Sequence, residues 1–144
     1  MKYFCLILFF AAAAKAEELS GEWKFEEMIY KNQRMERPDL ALNLRWTFFS
    51  NGTERLYWDR GTQDFCERFA YFQYSNNNLE TLVFAVNPRN GLSCSNDPDM
   101  KLGVQAKVRL EIKAQELWLY LSLSDEILIY VLKKVEGNTT FLVK

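Results

Sequence analysis

The chain has no histidine, three cysteines, three prolines and six glycines in 144 residues. Without histidine it lacks the side chain best suited to proton transfer near neutral pH, which is also the commonest metal ligand. Serine or cysteine nucleophiles activated by histidine, histidine-zinc sites and haem held by histidine are therefore excluded. The cysteines show no metal-ligand spacing, and no glycine-rich phosphate loop is present. No apolar run reaches the roughly 20 residues that a membrane-spanning helix needs. Charge of one sign is lacking as well: 18 basic residues face 19 acidic ones, so general nucleic-acid binding, which depends on basic surface, is disfavoured. What is abundant is apolar surface, 49% of the residues, enough for one core in a chain of this length.

The first 16 residues read as an export signal. Lys2 gives a basic start, Leu6 to Ala14 is apolar, and Ala14-Lys15-Ala16 has the small-x-small pattern cut by signal peptidase. The expected mature domain is 17–144, secreted or periplasmic and without a transmembrane anchor. Removing Lys2 and Lys15 from the 18 basic residues and nothing from the 19 acidic ones leaves a net charge of −3. Cys5 leaves too, and the remaining Cys66 and Cys94 are expected to form one disulfide in an oxidising compartment.

Beyond the signal the chain alternates with period two, the pattern of strands with one buried face. Val104, Ala106, Val108, Leu110 and Ile112 interleave with Gln105, Lys107, Arg109 and Glu111. Eight strands are expected, at about 21–30, 42–50, 53–60, 65–75, 79–87, 103–113, 116–124 and 126–136. Asn51-Gly52 predicts a type I′ hairpin. Gly61 to Asp64, Asn76 to Asn78, Ala114-Gln115 and Ser124-Asp125 serve as further tight connections, while 31–41 and 88–102 are long and hold the three prolines. The expected architecture is all-β, an eight-stranded antiparallel up-and-down barrel, with a two-sheet sandwich as the alternative. In an up-and-down order both long connections fall at one end, a cup with a closed floor and a looped rim. Cys66 at the start of the fourth strand and Cys94 within the long fifth connection would staple that loop near the mouth.

Leu19-Ser20-Gly21-Glu22-Trp23-Lys24-Phe25, placed just after a signal, resembles the Gly-x-Trp start of the first strand in lipocalins and the wider calycin group. Avidins, fatty-acid-binding proteins and secreted bacterial enzyme inhibitors begin similarly. The resemblance implies an eight-stranded barrel whose floor is plugged by Trp23 and whose cavity takes small apolar ligands. Gly21 and Trp23 are the matching positions. Where the family often stacks a last-strand arginine over that tryptophan, Tyr130 to Lys134 offers lysine.

Extending the alternation inward from Trp23 nominates Phe25, Glu27, Ile29, Leu44, Trp46, Val108, Leu119 and Ile129 as ligand lining, against the alternative of a filled core. Glu27 on an inward row requires a partner, a bulge or a ligand head group, since an isolated buried charge is costly. Asn51-Gly52-Thr53 and Asn138-Thr139-Thr140 match the N-glycosylation pattern, and the apolar Phe141-Leu142-Val143 in the segment Thr139 to Lys144 is expected to pack or to add a short strand. Asn96, Asp97 and Asp99 lack the ordered spacing of a calcium loop. No catalytic residue, metal or cofactor is expected. The expected function is non-catalytic binding of a small apolar or amphipathic molecule; the alternative is a protein-binding barrel with a filled interior, such as an enzyme inhibitor or envelope assembly factor.

Overall fold

The computed structural model describes residues 17–137. The signal at 1–16, the Asn138 glycosylation pattern and the segment Thr139 to Lys144 lie outside them. Nine antiparallel strands follow the alternating pattern: β1 Gly21–Tyr30, β2 Gln33–Glu36, β3 Asn43–Phe48, β4 Thr53–Asp59, β5 Phe65–Ser75, β6 Asn78–Val86, β7 Gln105–Lys113, β8 Glu116–Leu123 and β9 Glu126–Lys134. From β3 to β9 each strand pairs with the next, and β1 pairs with both β3 and β9, closing the ring. The closure makes this a barrel rather than a two-sheet sandwich. Pairing sequential neighbours all the way round leaves no long free edge, the main hazard of an isolated sheet.

β2 is the addition to the eight expected strands. Lys31 and Asn32 both have positive φ, 49° and 61°, the backbone of a type I′ turn. They fold Gln33–Glu36 back onto Tyr30 to Glu27. This hairpin covers the half of the β1 edge that β3 does not reach, since β3 pairs only with Gly21 to Lys24. The Asn51-Gly52 hairpin differs in type from the expectation. Only Gly52 has positive φ, at 81°; its N–H bonds Phe49 O at 3.2 Å and the Phe49 N–H bonds Thr53 O at 2.9 Å. This is a three-residue loop with a glycine bulge. The Asn51 side chain instead accepts the Thr53 N–H at 3.0 Å.

A bulge in β1 decides which residues face inward. Opposite β9, Phe25 pairs with Leu132 but Glu27 pairs with Val131, so Glu26 is an extra residue. The bulge shifts the alternation by one: Met28 packs against the core, and Glu27 and Ile29 turn outward. Ile129 sits opposite Ile29 and shares its outward face. Arg37 holds the bulge by donating to Phe25 O at 2.7 Å and to Leu40 O at 3.2 Å.

The closed end is tightly packed by Trp23, Phe25, Phe48, Leu110, Leu117 and Leu132, each at most 1% exposed. Trp23 donates its indole N–H to Leu19 O at 2.8 Å, and Tyr74 donates its hydroxyl to Leu110 O at 2.9 Å, so both buried polar atoms are satisfied. The Lys134 ammonium lies 5.2 Å from the Trp23 ring centroid, a lysine-over-indole contact. Gly21 explains itself here: its φ is +119° and a Cβ at this position would sit 3.0 Å from Lys134 Cε. Gly21→Ala is expected to lower the unfolding free energy by about 1–2 kcal/mol, measurable by denaturant titration against the wild type.

Candidate functional site

Both long connections begin and end at the open end, but the first folds back as β2 along β1 as far as Glu27, where Arg37 pins it, while the second is pinned at the rim. The stretch after β6 continues along β5: Asn87 N–H bonds Glu67 O at 3.0 Å and Gly91 N–H bonds Phe65 O at 3.0 Å. Asn90 returns an amide pair to the Glu67 backbone at 2.8 and 3.0 Å. Two short 3₁₀ turns then follow, Leu92–Asn96 and Pro98–Met100. Cys94 bonds to Cys66 across a Cα separation of 5.6 Å, and Met100 is buried in the core cluster. The stapled loop therefore tucks two side chains into the barrel beside β5.

Inward residues are sealed both at the closed end, by Trp23, Phe25 and Leu117, and beneath the stapled loop, by Cys66, Cys94 and Met100. Met28, Leu42, Leu44, Trp58, Leu119 and Tyr130, with Phe72 and Ile112 nearer the floor, are half-buried against this core. Of the nominated lining, Phe25, Trp46, Leu44, Val108 and Leu119 do belong to or pack on the inner cluster. Phe25 and Trp46 are sealed in it, 1% and 5% exposed, whereas Leu44, Val108 and Leu119 are half-buried. Glu27 and Ile29 are corrected to the exterior by the bulge; Ile129 is corrected to the exterior by the regular alternation of β9, whose inward row holds Tyr130 and Leu132.

Outside the barrel, Glu27 accepts from Arg34 Nη1 at 2.8 Å and from Lys133 Nζ at 3.1 Å. Arg34 forks onto Glu116 at 2.8 and 3.0 Å and lies 5.8 Å from the Trp118 ring centroid, with Lys113 4.0 Å from the same ring. The Arg34 hydrogen bonds hold the Glu116 carboxyl at a pKa of about 2, and the Lys133 hydrogen bond lowers that of Glu27. On this outer patch Trp118 is a platform for two cations. A carboxylate whose folded pKa is depressed stabilises the fold above its unfolded pKa, and that contribution is lost as pH falls toward the folded value. Stability should therefore decline between pH 4.5 and about 2, and Glu116→Gln should flatten that acid limb in thermal melts recorded across the range.

At mid-height the inward row carries a charge pair. Glu54 is fully buried and Arg68 is 5% exposed; Arg68 Nη1 donates to Glu54 Oε1, and Trp46 donates its indole N–H to Glu54 Oε2 at 2.6 Å. Burial pushes the Glu54 pKa up, against the opposing charge and hydrogen bond of Arg68, the hydrogen bond from Trp46 and, on the raising side, the charge of Asp99. Arg68 Nε is buried with no partner. The alternation itself carries this signal: Glu54 shares its row with Leu56 and Trp58, and Arg68 with Cys66, Ala70, Phe72 and Tyr74. Opposite charges on the inward rows of two paired strands mark an interior pair.

Three open concavities lie against the surface. One of about 680 Å³ is bordered by Tyr71, Gln73, Leu82 and Lys107. A second of about 680 Å³ lies at the closed end beside Trp23 and Lys134, and a third of about 450 Å³ lies beside the bulge at Glu26, Arg37 and Leu40. Apart from Glu27, none of the nominated lining residues borders any of them.

The ring of strands, the Trp23 floor and the looped open end define a lipocalin-like barrel. No protein-family profile matches the chain, and no curated protein matches it. In structure it is similar to a lipocalin-like protein from Bacteroides uniformis, at 11% identity and a TM-score of 0.54 over 82% of this chain and 99% of that one. It is also similar to an uncharacterized protein from Bacteroides eggerthii, at 13% identity and a TM-score of 0.51 over 81% of this chain and 99% of that one. At such identities the likeness is one of fold.

Two further outcomes follow from the interior. Arg68→Leu strands the Glu54 charge and is expected to cost about 3–5 kcal/mol of stability. Adding Glu54→Gln recovers part of that loss, because the amide still accepts the Trp46 N–H without a charge to strand; denaturant unfolding of both variants checks the order. Reducing the Cys66–Cys94 bond removes a 28-residue cross-link, worth about 3–4 kcal/mol by chain entropy, and thiol labelling of denatured, non-reduced protein should modify neither cysteine.

Proposed function

We propose that this chain is an exported, non-catalytic binding protein that holds a small apolar or amphipathic ligand in the open half of its barrel. The observation that carries the reading is the closed lipocalin-like barrel with half-buried apolar side chains on its inward face. Leu44, Trp58, Leu119 and Tyr130 are half-buried against the core on the inward face, and these side chains would line the apolar bowl that takes the ligand. The small-x-small signal, the disulfide and the lack of any described helix long and apolar enough to cross a membrane support export. The exterior carboxylates Glu27, Glu111 and Glu116 are held ionised by hydrogen bonds to lysine or arginine, a structural use rather than acid-base chemistry.

Native mass spectrometry of protein recovered from its own host, followed by lipid titration read on tryptophan fluorescence, tests the proposal. A retained small molecule and a saturable response, reduced in Trp58→Phe, are expected. An empty protein with no response would defeat it. The protein-binding alternative draws on one surface feature: Tyr71, 54% exposed, lies with its ring 4.4 Å from that of Phe84 on the outer wall of β5 and β6, beside the concavity at Leu82. A stable partner from the secretory compartment that is lost in Tyr71→Ala would favour it.

A further inference from the structure

The wall of the bowl is not continuous. The β7–β8 ladder runs from Lys113 and Glu116 up to Arg109 and Tyr120 and stops there. Both strands go on: Gln105 to Val108 remain paired with β6, and Leu121 to Leu123 remain paired with β9. Over the four residues Gln105 to Val108 and the three residues Leu121 to Leu123 the two strands are not paired with each other, about 10–13 Å of wall at 3.3 Å per residue. The lips of this notch are polar. Leu110 donates its N–H to Asn77 O at 2.9 Å, so even-numbered residues of β7 turn their backbone groups toward β6. Odd-numbered ones, Gln105 and Lys107, turn theirs into the notch. In the same register Ser122 would have faced Lys107. Just inside, the inward-phase Ala106 is exposed and Val108 and Leu121 are half-buried, so apolar side chains of the inward face lie directly behind the unpaired edges.

We infer that the notch is the side entrance and head-group subsite of the cup, and that its ligand is a neutral amphiphile: an apolar chain over Val108, Leu119 and Leu121, with an uncharged head of hydrogen-bond donors and acceptors at Lys107 and Ser122. This rests on the reading of the barrel as a ligand cup. Strand edges offer N–H and C=O groups together, which suits a hydroxyl, ester or amide rather than an anion. The charges agree. Arg68, the one buried cation among the described residues, is already held by Glu54. Lys107 beside the notch is paired with Glu80 at 2.8 Å, and Asp125 and Glu126 sit at the tip of the adjoining hairpin. The described ends of the chain do not compete for the notch, since both Glu17 and Gly137 lie at the closed end.

Full-length mature protein titrated at about pH 8 with monodecanoylglycerol and with decanoate, and followed by amide hydrogen exchange, tests this. Monodecanoylglycerol should bind at least tenfold more tightly than decanoate. It should also slow exchange at Lys107 and Ser122 at least tenfold while leaving the already paired Glu111 and Trp118 unchanged. Ala106→Trp, which fills the notch at an exposed position, should weaken binding at least tenfold. Equal or tighter binding of decanoate, unchanged exchange at Lys107 and Ser122, or wild-type affinity in Ala106→Trp would each overturn the inference and leave the cup standing. If neither amphiphile binds and no small molecule is retained from the host, the cup itself fails and the inference with it.

Discussion

Everything in this structure depends on β1 keeping two partners. Its one edge carries the whole β9 ladder from Trp23 to Tyr30, and its other edge is shared between β3 and the β2 hairpin. An eight-stranded sheet that failed to close here would expose two apolar edges and an unsealed core. The extra residue at Glu26 lets β1 follow both neighbours: it lets the strand bend and turns its alternation over. Below the bulge Trp23 and Phe25 seal the floor; above it Met28 faces the bowl and Glu27 joins the exterior ion pairs.

The strand pattern was legible because one face of nearly every strand is buried, so period two survives along the chain. The boundaries expected for the eight strands fall within two residues of those observed, and the floor motif, the lysine over Trp23 and the disulfide also follow from residues that are plain in the sequence. Three features were not legible for definite reasons. The β2 hairpin turns on Lys31 and Asn32, a pair without glycine whose positive φ values are sustained by the pairing that follows. The outward placement of Glu27 and Ile29 depends on the bulge, whose one mark in the alternation is a carboxylate on an otherwise apolar row, and that of Ile129 on which of two equally apolar rows of β9 faces in. The notch between β7 and β8 is a failure of pairing between two strands whose own sequences remain regular.

The interior pair of Glu54 and Arg68 occupies a middle ground. Each residue falls on an inward row by simple counting, yet two separate charged side chains on apolar rows read individually as irregularities. Only the β4–β5 register, which sets Glu54 opposite Ala70 and Leu56 opposite Arg68, brings them diagonally together. Trp46 completes the arrangement from β3, so three adjacent strands share one buried polar contact. A misregistered pairing of these strands would separate the charges inside an apolar barrel, which makes the pair a device for register as much as for stability.

The Gly21–Lys134 contact joins the first residue of the barrel to the last. These residues are 113 positions apart in the sequence, so the ring cannot shut until β9 has been synthesised, and the contact belongs to the slowest, most non-local class of folding event. Until then β1 stands as an open strand edge on a growing chain. The β1–β2 hairpin, made from residues next to one another, is the piece that can form at once and shield half of that edge while the rest of the protein is still being made.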